Sequence, residues 1–267
     1  MKTFLLSLIG VGILSGGLCR AEDIFFKDGL KLSGVEIRRD GQFIMAKSGP
    51  EEARPYAINT IKHIVFHDSP AIREAREALQ DGDFRTVLDK TLPELPYHKE
   101  WREMPGSIWP SIMKMRVQAA AVSTRDGDLK EAIKDWWKTQ DTDLENAVAL
   151  LKQKVNGDSG FLAACKAAAE TNRGDLPCAI GYLELGNKAF DAGEWPAAMR
   201  AYVSLQIFAP SLRMFHPPAL LGAVKVGSAK QQKAQTISFA ERLKTEYPKS
   251  PQAKMLEKLL EPAKEEK

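Results

Sequence analysis

The chain contains few cysteines, few histidines and few aromatic residues. Of its 267 residues only 3 are cysteine and 4 are histidine, and aromatics make up 8%. Three cysteines are too few for a fold held together by a network of disulfides. The chain must therefore fold around its own apolar core. Hydrophobic residues account for 44% and charged residues for 27%, a mixture typical of a water-soluble globular protein of one or two domains. Collagen-like and disordered chains are thereby excluded.

The first residues have the layout of a signal peptide. Lys2 is followed by an apolar run over 4–18, and small residues stand at Cys19 and Ala21, the minus-three and minus-one positions of a cleavage site. The run is shorter than the roughly 20 residues that a membrane-spanning helix needs, and no apolar run of spanning length follows it. We therefore predict a signal peptide over 1–21, no transmembrane segment after its cleavage, and a periplasmic or extracellular protein.

Cys19 also raises the alternative of a lipoprotein anchored at this residue. Leu18 argues against it, because a bacterial lipobox has a small residue immediately before the cysteine. Cleavage after Ala21 removes two basic residues, Lys2 and Arg20, from a total of 38 basic and 35 acidic residues, and leaves a net charge of +1. A nearly neutral chain lacks the long-range field that attracts nucleic acid, so we expect no nucleic-acid partner.

Residues 22–68 are predicted to form a small β module. Five short β-rich runs are joined in part by two Asp-Gly turns, Asp28-Gly29 and Asp40-Gly41, which are strong hairpin signals. So few short strands favour a strongly bent sheet or a partly open barrel. The segment resembles Sm-like small barrels, in particular the "strand, Lys-Asp-Gly, strand, Gly-Val" modules that follow signal peptides in some secreted bacterial proteins. The resemblance implies a fold and no activity.

From Ser69-Pro70 onward the sequence changes to long runs rich in Ala, Leu, Lys and Glu. A capping serine followed by proline at the first helical position is typical of a helix start. We place the domain boundary there and predict a helical domain over 69–267. Two predicted helical hairpins share the turn sequence Asp-Gly-Asp, at 81–83 and 126–128, which indicates repetition.

The clearest repeat covers 182–210 and resembles a tetratricopeptide unit of about 34 residues. The positions that match the family pattern are Tyr182, Leu185, Gly186, Gly193, Trp195, Ala198, Tyr202 and Pro210. The small residues Gly186 and Ala198 allow two antiparallel helices to approach closely. We interpret Gly186, Ala198 and Tyr202 as packing residues. Ala189 and Leu205 depart from the pattern, which usually has an aromatic residue at the first position and a small one at the second.

A further unit is predicted over 218–260. Its stretch 247–251, Tyr-Pro-Lys-Ser-Pro, resembles joints of tetratricopeptide-like proteins of bacterial cell envelopes, including components of outer-membrane assembly and of the Tol-Pal division system. Four prolines between 91 and 111 predict a non-helical insertion or an irregular turn, and Pro210, Pro217 and Pro218 predict a second joint. The charged tail 262–267 is expected to fray.

Two short patterns imitate catalytic or metal sites. Residues 157–160, Gly-Asp-Ser-Gly, copy the core of a serine-protease loop, but Phe161 and an Ala-rich helix follow, so we interpret Asp158 or Ser159 as a helix cap. His63 and His67 are four residues apart in a predicted strand, which separates them by about 13 Å. That distance is too long for both to bind one zinc ion.

Cys165 and Cys178 remain after signal cleavage, and an even number in an oxidising compartment suggests a disulfide. If 173–176 is the turn between antiparallel helices, the two cysteines are offset by about 9 Å along the helix axes, beyond the usual reach of about 7 Å between Cα atoms. A disulfide and buried free thiols both stay open.

Trp136 and Trp137 are neighbours in a predicted helix and point about 100° apart. Both can be half buried, or one can emerge on a ligand-facing surface. Trp101 and Trp109, in the proline-rich stretch, are interpreted as covers of the helix layer.

Together these features predict an α+β multidomain protein: a small β barrel or sheet over 22–68, followed by an α-helical tetratricopeptide-like repeat array over 69–267. Such arrays form a curved surface whose concave side accepts a peptide, a helix or another protein. We therefore expect a non-enzymatic exported scaffold or adaptor with a protein or peptide partner. We assign no catalytic, cofactor-binding or metal-binding residue, and expect no cofactor. Two alternatives stay open: a cell-envelope assembly factor acting at the outer membrane, and a hydrolase with its site at the interface of the β module and the helical domain.

Overall fold

The computed structural model describes residues 20–134, 136 and 140–260, with the side chains of 126 and 257–260 left out. Most of the predicted signal peptide, Cys19, Trp137 and the tail 262–267 lie outside the described residues. The chain divides into two compact units. The first comprises the described residues up to His67 together with Met104–Gly106, and the second comprises Asp68–Glu103 and the residues from Ser107 onward.

The first unit is a five-stranded antiparallel sheet. Its strands are β1 (Glu22–Phe26), β2 (Lys31–Asp40), β3 (Phe43–Lys47), β4 (Arg54–Ala57) and β5 (Ile61–Val65), in the spatial order β4-β3-β2-β1-β5. The edge strands β4 and β5 do not pair with each other within the described part of the chain, so the sheet does not close into a barrel. The predicted α+β class is confirmed, and the open sheet agrees with its small number of short strands.

Alternation along the strands places one set of apolar side chains inside this unit. Ile24 and Phe26 of β1 are buried, as are Ile44 of β3 and Ile64 of β5. The first predicted turn is supported by its own side chain, because a carboxylate oxygen of Asp28 accepts a hydrogen bond from the Leu30 amide at 3.0 Å. Turn chemistry and a two-residue period therefore account for the sheet.

The segment Met104–Gly106 covers part of the β5 edge. The Ile64 amide donates a hydrogen bond to the Pro105 carbonyl at 2.9 Å. Gly106 has φ +91°, and a Cβ atom there would lie 2.0 Å from the Ile64 carbonyl oxygen, so only glycine fits. This contact satisfies a backbone donor that an edge strand otherwise exposes.

The second unit is helical. Its helices are α1 (Pro70–Asp81), α2 (Phe84–Thr91), α3 (Leu95–Glu100), α4 (Trp109–Val122), α5 (Asp126–Lys134), α6 (Thr142–Asn156), α7 (Phe161–Glu170), α8 (Leu176–Asp191), α9 (Trp195–Phe208), α10 (His216–Ala229), α11 (Lys233–Glu246) and α12 (Pro251–Leu260). Side-chain caps start several of them. The Ser69 hydroxyl accepts the Ile72 amide at 3.2 Å and begins α1 at Pro70. None of the described helices is long and apolar enough to cross a membrane.

The two Asp-Gly-Asp sequences form different structures. At 81–83, Gly82 ends α1 in the left-handed conformation and Asp83 caps α2. At 126–128, the same letters form the first turn of α5, so the prediction of a second equivalent turn is wrong. Ser123 explains the difference, because α4 ends before it and its hydroxyl hydrogen bonds with Asp128 at 2.5 Å.

The proline-rich stretch is partly helical. Pro96 lies in the first turn of α3 and Pro110 in the first turn of α4, where a missing amide hydrogen costs no hydrogen bond. Residues 101–108, between these two helices, form turns and bends, so of the two predicted alternatives the irregular turn is the one observed. Trp101 and Trp109 are both buried there.

The helices from α6 to α12 alternate between two layers. The helices α6, α8, α10 and α12 each contact the next member of this series, and α7, α9 and α11 join them in sequence. Most residues of α10 are buried, and the short turn Arg213–Phe215 that precedes it contacts α1, α4 and α8. Little of α10 is therefore open to solvent.

Candidate functional site

The helices α7, α8 and α9 enclose an open groove with a volume of about 650 Å³, which we call the outer groove. On α8 its floor residues include Tyr182, Leu185 and Ala189. Ala189 follows Ile180 by nine residues, which at about 100° per residue places it on the opposite side of the helix. Ile180 is buried in the core, whereas Tyr182, Leu185 and Ala189 are only partly buried and pack at the margin of the core, so the groove lies on the more exposed side of α8.

Small side chains leave open space in the groove. The repeat pattern that the sequence resembles usually has an aromatic residue at the position of Ala189, and 5 of the 14 lining residues are alanines. The full lining is Leu162, Lys166, Ala169, Glu170, Tyr182, Leu185, Lys188, Ala189, Ala192, Glu194, Ala197, Arg200, Ala201 and Ser204. The size falls within the range of about 300–1,000 Å³ that is usual for ligand pockets.

The register between α8 and α9 is fixed by Tyr202. Its hydroxyl donates a hydrogen bond to the Asn187 side-chain oxygen at 3.0 Å, and its ring lies against Gly186. Moving two residues forward on α8 and two back on α9 brings Lys188 level with Arg200. Lys188 also follows Gly181 by seven residues and hence shares its α7-facing side, because Gly181 lies against α7. The two cations therefore occupy opposite sides of the groove at one level.

The charges of the groove are only partly paired. Lys166 and Glu170 form an exposed ion pair at 3.8 Å. Within the described part of the chain, Lys188, Arg200 and Glu194 make no side-chain ion pair or hydrogen bond. Glu194 precedes Arg200 by six residues, about 9 Å along α9, so it lies near one end of the groove. The lining holds three basic side chains and two acidic ones, a net charge of +1.

The other end of the groove is aromatic. The rings of Tyr182 and Phe208 are stacked with centroids 5.9 Å apart, and the Tyr182 hydroxyl donates to the Asn172 side-chain oxygen at 2.5 Å. Burial raises the pKa of Tyr182, so its hydroxyl stays protonated at neutral pH. Phe208 is 38% exposed and Ile207 is 64% exposed, which leaves an apolar surface at this end.

The residues of the predicted repeat pack in the core. Ala198, Tyr202 and Leu205 are buried, and burial raises the pKa of Tyr202 far above its usual range. Sequence reasoning missed Gly222 of α10, against which the Tyr202 ring also packs. A glycine in a second helix gives no local signal that it contacts this ring.

The two cysteines of the helical unit are free and buried. Cys178 donates a weak hydrogen bond to the Ala169 carbonyl at 3.8 Å, so it lies one helical turn, or about 6 Å along the axis, from Cys165. The offset is smaller than the 9 Å expected from the sequence, yet no bond forms. Burial raises the pKa of Cys165 to about 12 and also raises that of Cys178.

Each histidine of the pair in the first unit contacts a side chain of β1. The His63 ring stacks on Phe25 with centroids 4.4 Å apart, and His67 follows β5 with its Nε2 atom 3.9 Å from an Asp23 carboxylate oxygen. The described residues contain no cluster of three or more His, Cys, Asp or Glu side chains suited to a metal ion.

The Gly-Asp-Ser-Gly segment forms a turn before α7. An Asp158 carboxylate oxygen accepts the Gly160 amide at 2.8 Å. Gly160 occupies the position before α7 and no side chain caps this helix, so the prediction that Asp158 or Ser159 caps it is wrong. The aspartate stabilises the turn instead.

Trp136 is half-buried, and its Nε1 atom donates to a Glu145 carboxylate oxygen at 3.3 Å. It lies outside the lining of the outer groove.

No protein-family model, curated protein or solved structure gives a match to the chain. The choice of the outer groove as the candidate site rests on its size, its lining and its openness to solvent.

Proposed function

We propose that this protein is an exported, non-enzymatic scaffold or adaptor that binds a protein or peptide partner through the outer groove. The proposal includes a tetratricopeptide-like architecture for α8 and α9 and a signal peptide that directs the chain to the periplasm or the cell exterior. The observation that carries it is the groove itself: an apolar, alanine-rich floor between two helical walls, open to solvent. Grooves of this kind hold helices or extended segments through apolar side chains.

The position of the groove differs from the expected one. Repeat arrays commonly bind on their concave side, but here the inner helix α10 is buried along most of its length. The outer side, between α7 and α9, offers the open space. Recognition by this protein is therefore proposed to use the outer layer.

The envelope-assembly alternative has less support from the geometry. In the joint at 247–251, Tyr247 is buried, and the Ser250 hydroxyl accepts the Ala253 amide at 3.1 Å at the start of α12. Packing and capping thus account for these residues, without a partner.

Site-specific photocrosslinking tests the proposal. A photoreactive phenylalanine at Ala192, which lines the groove, is compared with one at Lys225, which is exposed on α10 outside it. In cells that naturally produce the protein, we expect a discrete crosslinked protein from position 192 only, and its loss when Ala189→Trp fills the groove. Equal crosslinking from both positions would contradict the proposal.

Export is tested separately by N-terminal sequencing of the protein recovered from the producing cells. Cleavage after Ala21 gives a chain that begins at Glu22. Recovery of the uncleaved chain from the cytoplasm would remove export from the proposal and leave the groove unaffected.

A further inference from the structure

The outer groove carries two basic side chains that form no ion pair within the described part of the chain. Of the two acids one turn from Lys188 on α8, Glu184 pairs with Lys154 at 2.6 Å and Asp191 forms no ion pair with Lys188. Lys188 and Arg200 stand at one level on opposite sides of the groove, both exposed. The neighbouring pair Lys166–Glu170 is self-neutralised, and Glu194 is about 9 Å away along α9. A single anionic group between the two cations would meet complementary charge from both sides.

The surroundings of the two cations favour an anion that is attached to an apolar chain. The floor beside them consists of Ala189, Ala197 and Ala201, which offer no polar side chain to a free ion. Toward the other end the groove becomes aromatic at Tyr182 and Phe208. An occupant that matches this lining has an acidic group near its middle and a large apolar group at one end.

The length of the groove sets the spacing of these two groups. Tyr182 precedes Lys188 by six residues, about 9 Å along α8. An extended peptide covers that distance with about three residues at about 3.3 Å each, and a helical peptide with about six. Arginine can hold a carboxylate through two parallel hydrogen bonds, which adds direction to the charge attraction.

We infer that the partner segment of the outer groove is an acidic, apolar peptide whose carboxylate lies between Lys188 and Arg200 and whose large apolar residue packs at the Tyr182–Phe208 end. This inference rests on the proposed function and specifies the chemistry of the partner. Selectivity for a carboxylate comes from the two cations, and most of the buried contact comes from the alanine floor.

Selection from a random dodecapeptide library displayed on phage tests the inference. The full-length mature protein is the target, and the variant Ala189→Trp is used for counter-selection. We expect enriched peptides to share an Asp or Glu that is about three or six residues from an aromatic or large aliphatic residue. A synthetic enriched peptide and its copy with Glu→Gln or Asp→Asn are then compared by calorimetry.

Matched variants separate the cations of the groove from charge in general. The double variant Lys188→Gln, Arg200→Gln is expected to bind the acidic peptide about tenfold more weakly, or weaker still. Its affinity for the amide copy of the peptide should stay nearly unchanged. The control pair Lys225→Gln with Lys244→Gln removes two exposed charges outside the groove and is expected to change binding less than about twofold. Circular dichroism checks that each variant is folded.

The possible outcomes separate a failure of this inference from a failure of the proposed function. Peptides that lose binding in Ala189→Trp but lack an acid, or that ignore the change at Lys188 and Arg200, would overturn the inference and keep the groove as a peptide site. Failure to enrich any peptide, or enrichment that Ala189→Trp does not affect, would overturn both. Self-association of the protein that Ala189→Trp abolishes would make a second copy the occupant and also overturn the inference.

Discussion

The ring of Tyr202 lies so close to Gly222 that a Cβ atom at residue 222 would sit 2.4 Å from the ring carbon Cζ. A Cβ atom at Gly186 would likewise sit 2.5 Å from Cε1 of the same ring. One aromatic side chain of α9 is thus held between glycines of α8 and α10. The close packing of these three helices depends on the absence of side chains at both glycines.

Gly222→Ala is expected to destabilise the helical unit. The added methyl group would overlap the Tyr202 ring and force the helices apart, which costs about 1–3 kcal/mol in the free energy of unfolding. Urea unfolding monitored by circular dichroism measures this change. Gly127→Ala is the matched control, because a Cβ atom there meets nothing within 4 Å and alanine favours the helix by up to about 1 kcal/mol. Equal stability of the two variants would contradict the packing described.

The β unit offers a second test at Gly106. Gly106→Ala combines a left-handed φ of +91° with a Cβ atom 2.0 Å from the Ile64 carbonyl oxygen, so we expect a loss of about 2–4 kcal/mol. Hydrogen exchange of β5 is the measurement, because the Ile64 amide bonds to the Pro105 carbonyl.

Gly49→Ala separates backbone strain from steric overlap in that test. Gly49 has φ +56° and nothing within 4 Å of its Cβ position, so the substitution costs only about 1–2 kcal/mol of backbone strain. Faster exchange of Ile64 in Gly106→Ala than in Gly49→Ala is the expected result. If both variants exchange at the wild-type rate, the segment Met104–Gly106 does not protect β5.

The helical hairpin α8–α9 could be predicted from the sequence because its signals are local. The spacing of Gly186, Gly193 and Tyr202 fixes two helices and the turn between them within a single stretch of chain. The partner Gly222 could not be predicted, since its contact with Tyr202 depends on how α10 packs. Local patterns specify a hairpin, and the packing of hairpins needs information from distant residues.

The same reasoning applies to the candidate site. Ala189 was recognisable as a departure from the repeat pattern, but a small residue on one helix does not make a groove. The groove also needs the walls supplied by α7 and α9, and the level of Lys188 relative to Arg200 follows only from the register that Tyr202 sets.

The short Asp-Gly-Asp signal failed at 126–128 because Ser123 and Asp128 favour a helix start there.

His216 is expected to make stability depend on pH. Its Nε2 atom lies 3.1 Å from the Ala209 carbonyl oxygen and its Nδ1 atom 2.9 Å from the Tyr247 hydroxyl, so the neutral ring donates at Nε2 and accepts at Nδ1. Burial, followed by the nearby Arg213 and Arg242, lowers the pKa of His216, although the Ala209 hydrogen bond and Glu246 oppose the shift.

The sign of this pH effect follows from the lowered pKa. The unfolded chain takes up a proton at His216 near its usual pKa of about 6.5, whereas the folded chain resists it, so the free energy of unfolding falls as the pH drops below about 7. Urea unfolding at pH 7.5 and pH 5.5 measures the difference. In His216→Gln, the free energy of unfolding should fall less between pH 7.5 and pH 5.5 than in the wild type. An equal fall in both proteins would show that other groups cause it.

The two thiols of the helical unit are expected to be unreactive while the protein is folded. Cys165 and Cys178 are buried, and burial raises the pKa of Cys165 to about 12, so the reactive thiolate is scarce at neutral pH. Labelling with a thiol-reactive disulfide should be slower than in concentrated urea by about 100-fold or more. Cys165→Ser and Cys178→Ser each identify one thiol by the loss of half the label. Rapid labelling of the native protein, or an intact mass two daltons below that of the reduced chain, would show instead that α7 and α8 move enough to expose or join these residues.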